Sequence, residues 1–116
     1  MLLAATDSLD DLNARLDRPL PMDRFRPNVV IGGCVPWAED DWRRARVGPV
    51  GLRLPKACDR CVITTTDQLT GERGVEPLRM LATFRKRADR KVYFGVNAVP
   101  DEGGVIAVGD RVTVQE

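Results

Sequence analysis

Histidine is absent from these 116 residues, and cysteine occurs only three times. A structural zinc site usually takes four Cys or His ligands, so zinc here would have to borrow a carboxylate or a second chain. Excess charge is lacking too: 18 Lys and Arg stand against 17 Asp and Glu, a formal net charge of +1. That balance argues against nucleic acid or an anionic membrane as a partner held by bulk charge, and any anion site must be local. No apolar run approaches the roughly 20 residues of a membrane-spanning helix, and no charged segment leads into a signal-like apolar one. An odd number of cysteines without an export signal points to a reducing cytoplasm. Internal repeats and low-complexity tracts are missing as well. What is left is a globular composition, 43% hydrophobic and 30% charged in both signs, with the length of one domain over residues 1–116 and a single core.

The most informative stretch is Lys56-Ala57-Cys58-Asp59-Arg60-Cys61, followed by Val62-Ile63-Thr64-Thr65-Thr66. A thiolate is the nucleophile and soft metal ligand among side chains, and a neighbouring cation such as Lys56 or Arg60 favours that ionised form. β-Branching at every position from Val62 to Thr66 suits a strand rather than a helix. Cys61 is therefore expected at the mouth of a strand, with Asp67 to Gly71 closing a turn behind it. Residue chemistry leaves three readings of the Cys-x-x-Cys open. A redox dithiol gains its low pKa at a helix N-terminus, which a strand does not supply. A zinc site meets the shortage of ligands. Ordinary buried thiols need nothing further, since free Cys is among the most buried residue types.

Upstream, Ser8 with Asp11 resembles a capping box, and Leu9, Leu12 and Leu16 recur at helical spacing until Pro19 and Pro21 stop the helix. In the run Arg24-Phe25-Arg26-Pro27-Asn28, followed by Val29 to Cys34, Val29 to Ile31 reads as a buried strand. Pro27 fixes the backbone at its start, which holds Arg26 and Asn28 at a strand end. Arg offers a fork of donors matched to phosphate or carboxylate, and Asn both donates and accepts; a solvated surface Arg is the plainer alternative. Cys34 reads as packing or a loop thiol. Pro36 to Trp42 carries both tryptophans around an acidic cluster, which a short helix or turn starting at Pro36 would hold in its first turns. The tryptophans read as core or lid anchors rather than a platform for stacked bases, because no basic stripe accompanies them.

Val50, Leu52 and Leu54 alternate with Gly51 and Arg53, the pattern of a half-buried strand leading into the cysteines. Glu76-Pro77 opens a helix with Leu78, Leu81 and Phe84 on one side. Its basic end, from Arg85 to Lys91, complements the helix dipole and is either solvated or a docking patch for an acidic electron donor. Val92 to Val96, Val105 to Val108 and Val112 to Val114 read as strands, with Gly109-Asp110 as a hairpin signal. Six or so short strands with two helices predict a mainly β, barrel-like domain with added helices.

An ordered set of motifs runs through these elements. Phe25-Arg26-Pro27-Asn28 is followed by Pro36-x-Ala38-Glu39-Asp40-x-Trp42, then by Cys58-x-Arg60-Cys61-x-x-Thr64-Thr65-x-Asp67, Thr70-Gly71, Glu76-Pro77-Leu78 and Val108-Gly109-Asp110. From about Leu2 to Glu116 the chain resembles the MOSC domain, most closely the C-terminal part of the mitochondrial amidoxime-reducing component and its bacterial relatives. The resemblance implies a MOSC-type β-barrel and a molybdenum cofactor, a metal held by the dithiolene of a phosphorylated pyranopterin. It carries the metal-ligand and catalytic role to Cys61, a soft thiolate suited to such a metal. Arg26 and Asn28 match positions that hold the cofactor, and Asp59 and Arg60 lie beside the ligand, where they could position the pterin; Cys58 would support or pack.

The same resemblance implies an oxidoreductase that removes oxygen from N-hydroxylated substrates and is re-reduced by an electron-transfer protein, with no nucleic acid or membrane involved. MOSC domains also close molybdenum cofactor sulfurases beside a pyridoxal-phosphate domain, so a sulfur or cofactor carrier is the alternative, although no Schiff-base lysine motif is visible. A non-catalytic fragment is the third reading. Relatives of the reductase type carry a barrel domain and the opening part of the MOSC fold ahead of the position of Leu2. The chain is accordingly expected to be the C-terminal portion of such a barrel, incomplete on its N-terminal side. Leu2 and Leu3 would then start a strand without a preceding partner, and the open side would invite self-association.

Overall fold

A computed structural model of the chain describes residues 1–60, 62–67 and 69–115. Six strands, β1 (Leu2–Ala5), β2 (Val29–Ile31), β3 (Arg44–Val47), β4 (Val50–Arg60), β5 (Val92–Pro100) and β6 (Val112–Val114), form one sheet. Their order is β2-β1-β5-β4-β3-β6. The β1–β2 pair is parallel and the other four pairs are antiparallel. The sheet curls into a nearly closed barrel, as the count of short strands predicts. A cleft of about 600 Å³ lies between the β2 side (Val29 to Gly32) and the segment from Ile106 to Val112 that leads into β6.

β1 explains why Leu2-Leu3-Ala4-Ala5 lacks the alternation of a half-solvated strand: all four residues are buried. Leu3 and Ala5 join Ile31, Leu52, Val96 and Ala98 in the barrel core. Ala4 faces the other way, where Leu12 of helix α1 (Thr6–Arg15), Leu81 of helix α2 (Leu78–Phe84) and Phe25 of a 3-10 helix (Met22–Phe25) pack with Phe94. Because both faces are covered, an apolar run with no polar lead-in is what this strand needs. β1 is paired on both sides, through Leu3 to Val29 and to Val96, both on strands that follow it in the chain, so β1 is not itself an open edge. The sheet ends at β2 and β6 instead.

One irregularity aims the site. Between Ala57 and Asp59 the β4–β5 register slips, since Ala57 faces Val96 while Asp59 faces Tyr93. Gly95 lies within that slip at φ +80, where a Cβ would stand 3.0 Å from the Leu3 carbonyl oxygen and 2.9 Å from Leu2 Cδ1. Only glycine meets both demands, and the bulge it permits redirects the last residues of β4.

Several local expectations fail for physical reasons. Val62–Thr65 is a 3-10 helix rather than a strand. β5 begins at Val92 opposite Arg60, so the ladder supplies no partner past that point, and β-branching is a preference for a pleated, packed surface rather than for the backbone itself. Val105 to Val108 is open chain beside the cleft, with Val105 and Val108 exposed. The Asp110 turn does form, its carboxylate accepting the Ala107 N–H at 2.8 Å. It delivers β6 to β3 rather than to a local hairpin. Ser8 does not cap α1, whose N-cap is Ala5. Instead Ser8 and Asp11 reach outward together: the Trp37 backbone N–H donates to Ser8 Oγ at 2.8 Å and the Trp37 indole Nε1 to Asp11 Oδ2 at 2.7 Å. Residues three apart share one helix face, so the same spacing that suggests a capping box here grips a tryptophan.

Candidate cofactor site

The 3-10 helix Met22–Phe25 ends on Arg26, whose φ of 52° and ψ of 51° are left-handed. For a residue with a Cβ this costs about 1–2 kcal/mol and persists only where neighbours impose it. Phe25 is fully buried and stacked on Phe94 with ring centroids 3.8 Å apart. Arg60, the last residue of β4, lies 5.6 Å over the Phe25 ring and donates through Nη2 to the Phe25 carbonyl, while Nη1 stands 3.7 Å from Cys58 Sγ. The peptide unit that leads into Arg26 is thereby fixed to the end of β4.

Arg26 is exposed; its backbone N–H donates to the Asp23 carbonyl at 3.2 Å, while its guanidinium has no hydrogen bond or ion pair among the described residues. An unpaired guanidinium on a constrained backbone is a donor set suited to an oxyanion. Asn28 ties the sheet start together: its Oδ1 accepts the Leu2 N–H at 2.8 Å and its own N–H donates to the Leu2 carbonyl at 2.9 Å. Asp59 is exposed and 3.9 Å from Lys91 Nζ, a surface pair of little energetic weight. Cys58 is half-buried, its thiol 3.5 Å from the Asp59 carbonyl. Cys61 lies outside the described residues. Its chain neighbours are described, Arg60 closing β4 and Val62 opening the 3-10 helix Val62–Thr65. The fold thus brings Arg26, Arg60 and Cys58 to one strand end, with Asn28 at the start of the adjoining β2.

Arg24 is a member of this group that the sequence analysis did not single out. Its side chain is 12% exposed, and its guanidinium lies 3.4 Å from the Thr64 carbonyl and 3.7 Å from Asp67 Oδ2. It joins the helix before Arg26 to the segment after Cys61. Asp67 also accepts the Leu69 and Thr70 N–H groups, which holds its carboxyl below the usual range. Arginines two apart around a buried aromatic were the signal available. Among the described residues, no three His, Cys, Asp or Glu side chains gather to hold a bare metal ion.

Cys34 sits elsewhere, against α1: its thiol is 3.8 Å from Asp7 Oδ1, and desolvation together with Glu39 and Asp7 pushes its pKa up to about 11. It stays a protonated, poorly reactive thiol at neutral pH. Glu39, in the 3-10 helix Ala38–Asp41, is fully buried. Ser8 Oγ lies 2.6 Å from one Glu39 oxygen and 2.9 Å from the other. Desolvation raises the Glu39 pKa above the ordinary 4.5, outweighing the Ser8 hydrogen bond, which lowers it. In the window above 4.5 the folded chain holds the Glu39 proton more tightly than the unfolded one. Its contribution to stability is therefore full at low pH and lost as pH rises through the folded pKa. Glu39→Gln, which keeps an acceptor for Ser8 without a charge to desolvate, is expected to raise stability at neutral pH and to flatten its decline with pH. Urea titrations across pH 4 to 8 read both effects, and a neutral-pH loss would mean that an ionised Glu39 organises Ser8 and Trp37.

A small, nearly closed β-barrel flanked by helices, with an exposed arginine beside a cysteine-bearing strand end, is the class this chain presents. The model of the MOSC domain matches residues 1–113, and the chain belongs to that family. Mitochondrial amidoxime-reducing component 1 of Homo sapiens is 41% identical over 96% of this chain and 35% of that protein. Molybdenum cofactor sulfurase of Oryza sativa subsp. japonica is 36% identical over 83% of this chain and 13% of that protein. The chain thus spans about 35% of the length of the amidoxime-reducing relatives. The crystal structure of YiiM from Geobacillus stearothermophilus shares the fold, with a TM-score of 0.65 over 100% of this chain and 54% of that one at 15% identity. Among the described residues, no helix is long and apolar enough to cross a membrane.

Proposed function

We propose that this chain is the cofactor-holding part of a molybdenum-dependent oxidoreductase acting on N-hydroxylated compounds, with a separate electron-transfer protein as reductant. The likeness to the amidoxime-reducing components over 96% of the chain supports the class of reaction. The observation that carries the site is Arg26, an exposed cation with no ion pair among the described residues, held in a left-handed backbone next to the end of β4. When bound, the molybdenum cofactor supplies the oxygen-atom and redox chemistry. The chain supplies the rest. Cys61 offers a thiolate to the metal, Arg26 faces the anionic end of the cofactor, and Arg60 fixes the Phe25 carbonyl so that Arg26 keeps its place. Asn28 holds the neighbouring strand start, Asp59 lines the rim beside Arg60, and Arg24 sets the distance between the segments on either side.

Arg26→Gly separates binding from folding. Glycine takes φ 52° without strain, so the apo chain should gain roughly 0.5–1 kcal/mol. Losing a charge-assisted bond to an anion costs about 1.5–3 kcal/mol, so cofactor affinity should fall on the order of 10–100-fold. Molybdenum analysis after reconstitution and apo unfolding curves measure the two halves. A destabilised apo chain with unchanged occupancy would make Arg26 a structural strut. The rice sulfurase likeness over 83% of the chain favours a second reading, a cofactor carrier. A carrier would take up the cofactor and yet fail to reduce an amidoxime with any electron donor.

A further inference from the structure

Four arginines crowd the solvent side of β3 and β4, at the end of β4 remote from the cysteines. Arg44 and Arg46 alternate along β3, Arg53 stands on β4 directly across from Arg44, and Arg43 precedes β3. Asp101 answers two of them, its Oδ1 2.9 Å from Arg53 Nε and its Oδ2 3.9 Å from Arg44 Nη1. Arg46 donates through Nη1 to the Pro49 carbonyl at 2.9 Å. Among the described residues Arg43 has no ion pair. The Arg44 and Arg53 side chains are 50% and 55% exposed, and with Arg43 they line an open cleft of about 320 Å³ floored by Leu54, Pro55 and Val99.

Nothing in the fold asks for this arrangement. Like charges directly opposite each other destabilise an antiparallel pair, and threonine or valine on a solvent face would suit the strands better. In a chain of net charge +1, four cations facing one carboxylate among the described residues are a local concentration rather than the spill-over of a basic protein. The patch is also distinct from the cofactor site, since the seven residue steps from Arg53 to Arg60 extend roughly 23 Å at about 3.3 Å each.

We infer that this face docks an acidic protein segment, with the guanidinium forks engaging its carboxylates. Alternate arginines along a strand lie about 6.6 Å apart, which matches carboxylates at alternate positions of an extended acidic segment, and the cross-strand pair, about 5 Å apart, sets two guanidinium forks side by side. Guanidinium pairs with carboxylate bidentately, and a complementary patch of this kind governs partner choice and encounter rate. A single-stranded nucleic acid would call for stacking aromatics beside the charge. The face offers arginine, proline and aliphatic residues instead.

The test uses the whole chain and a fluorescein-labelled hexaglutamate peptide, followed by anisotropy, with oligothymidylate and phosphatidylserine vesicles as parallel probes. Hexaglutamate should bind at low salt, weaken steeply as the Debye length shrinks, and lose about tenfold or more in affinity in Arg44→Thr/Arg46→Thr. That variant keeps the Arg53–Asp101 pair and relieves the opposed charges, so its melting temperature should rise by roughly 1–5 °C, which excludes misfolding as the cause. Lys86→Ser/Arg90→Ser, at the other basic cluster beyond α2, should bind as the parent does. Unchanged binding by the β3 variant, tighter binding of oligothymidylate or vesicles, or a low-salt dimer in light scattering that the β3 variant dissolves would each overturn the proposal, the last by assigning the face to a second copy.

Discussion

Cys61→Ser is expected to abolish reduction of an amidoxime by the cofactor-loaded protein, whereas Cys58→Ser should retain most of it. A hydroxyl is a poor replacement for a soft thiolate on molybdenum, so the loss should exceed the about 10–100-fold typical of partners that only orient a ligand. Cys58 has a different situation. Its thiol lies 3.7 Å from Arg60 Nη1 and 3.5 Å from the Asp59 carbonyl, and a serine hydroxyl can accept from the first and donate to the second. Its removal should cost less than about tenfold, through a slight loosening of Arg60. Molybdenum content measured beside activity separates a lost ligand from a lost fold. Equal losses from the two variants would count against the assignment of Cys61 and favour a shared role for the pair.

How far the sequence carries is best judged residue by residue. β2, β3's partner β4 and the start of β5 follow from apolar runs and alternation, because burial on a sheet is a local pattern. Val62–Thr65 is missed because its conformation depends on where β5 begins, 30 residues on in the chain. Arg26 and Asn28 are legible at a strand end through Pro27. The left-handed turn at Arg26 is not, since it is imposed by Arg60 and Phe94 through Phe25. Ser8 reads as a cap and Glu39 as one of an acidic cluster in the first turns of a short helix, and only tertiary contact between α1 and the 3-10 helix Ala38–Asp41 makes them a buried pair. Arg85 is the sharpest such case. It reads as the first of a solvated basic run after α2, yet its side chain is only 12% exposed and salt-bridged to Asp40.

That ion pair sets the largest expected loss of stability. Asp40 is 11% exposed, and among the described residues its carboxylate has besides Arg85 only Arg87, at 3.8 Å and itself 48% exposed, as an ion-pair partner. Its Oδ1 has no hydrogen-bond partner among the described residues. Arg85 also donates through Nε to the Tyr93 carbonyl at 3.1 Å and lies 4.3 Å over the Trp37 ring. Arg85→Met fills much of the same volume but leaves a buried carboxylate nearly uncompensated, a defect that costs about 3–5 kcal/mol. For a chain of this size the melting temperature should drop by roughly 10–20 °C. The effect should reach the site, because Val92 pairs with Arg60 and Arg85 anchors the adjoining Tyr93, so cofactor occupancy should fall in the same variant. Asp40→Leu combined with Arg85→Met removes both charges together and should recover most of the stability, since an apolar pair replaces a buried ion pair at little net cost. A double variant as unstable as Arg85→Met would shift the weight from the ion pair to the contacts of Arg85 with Tyr93 and Trp37.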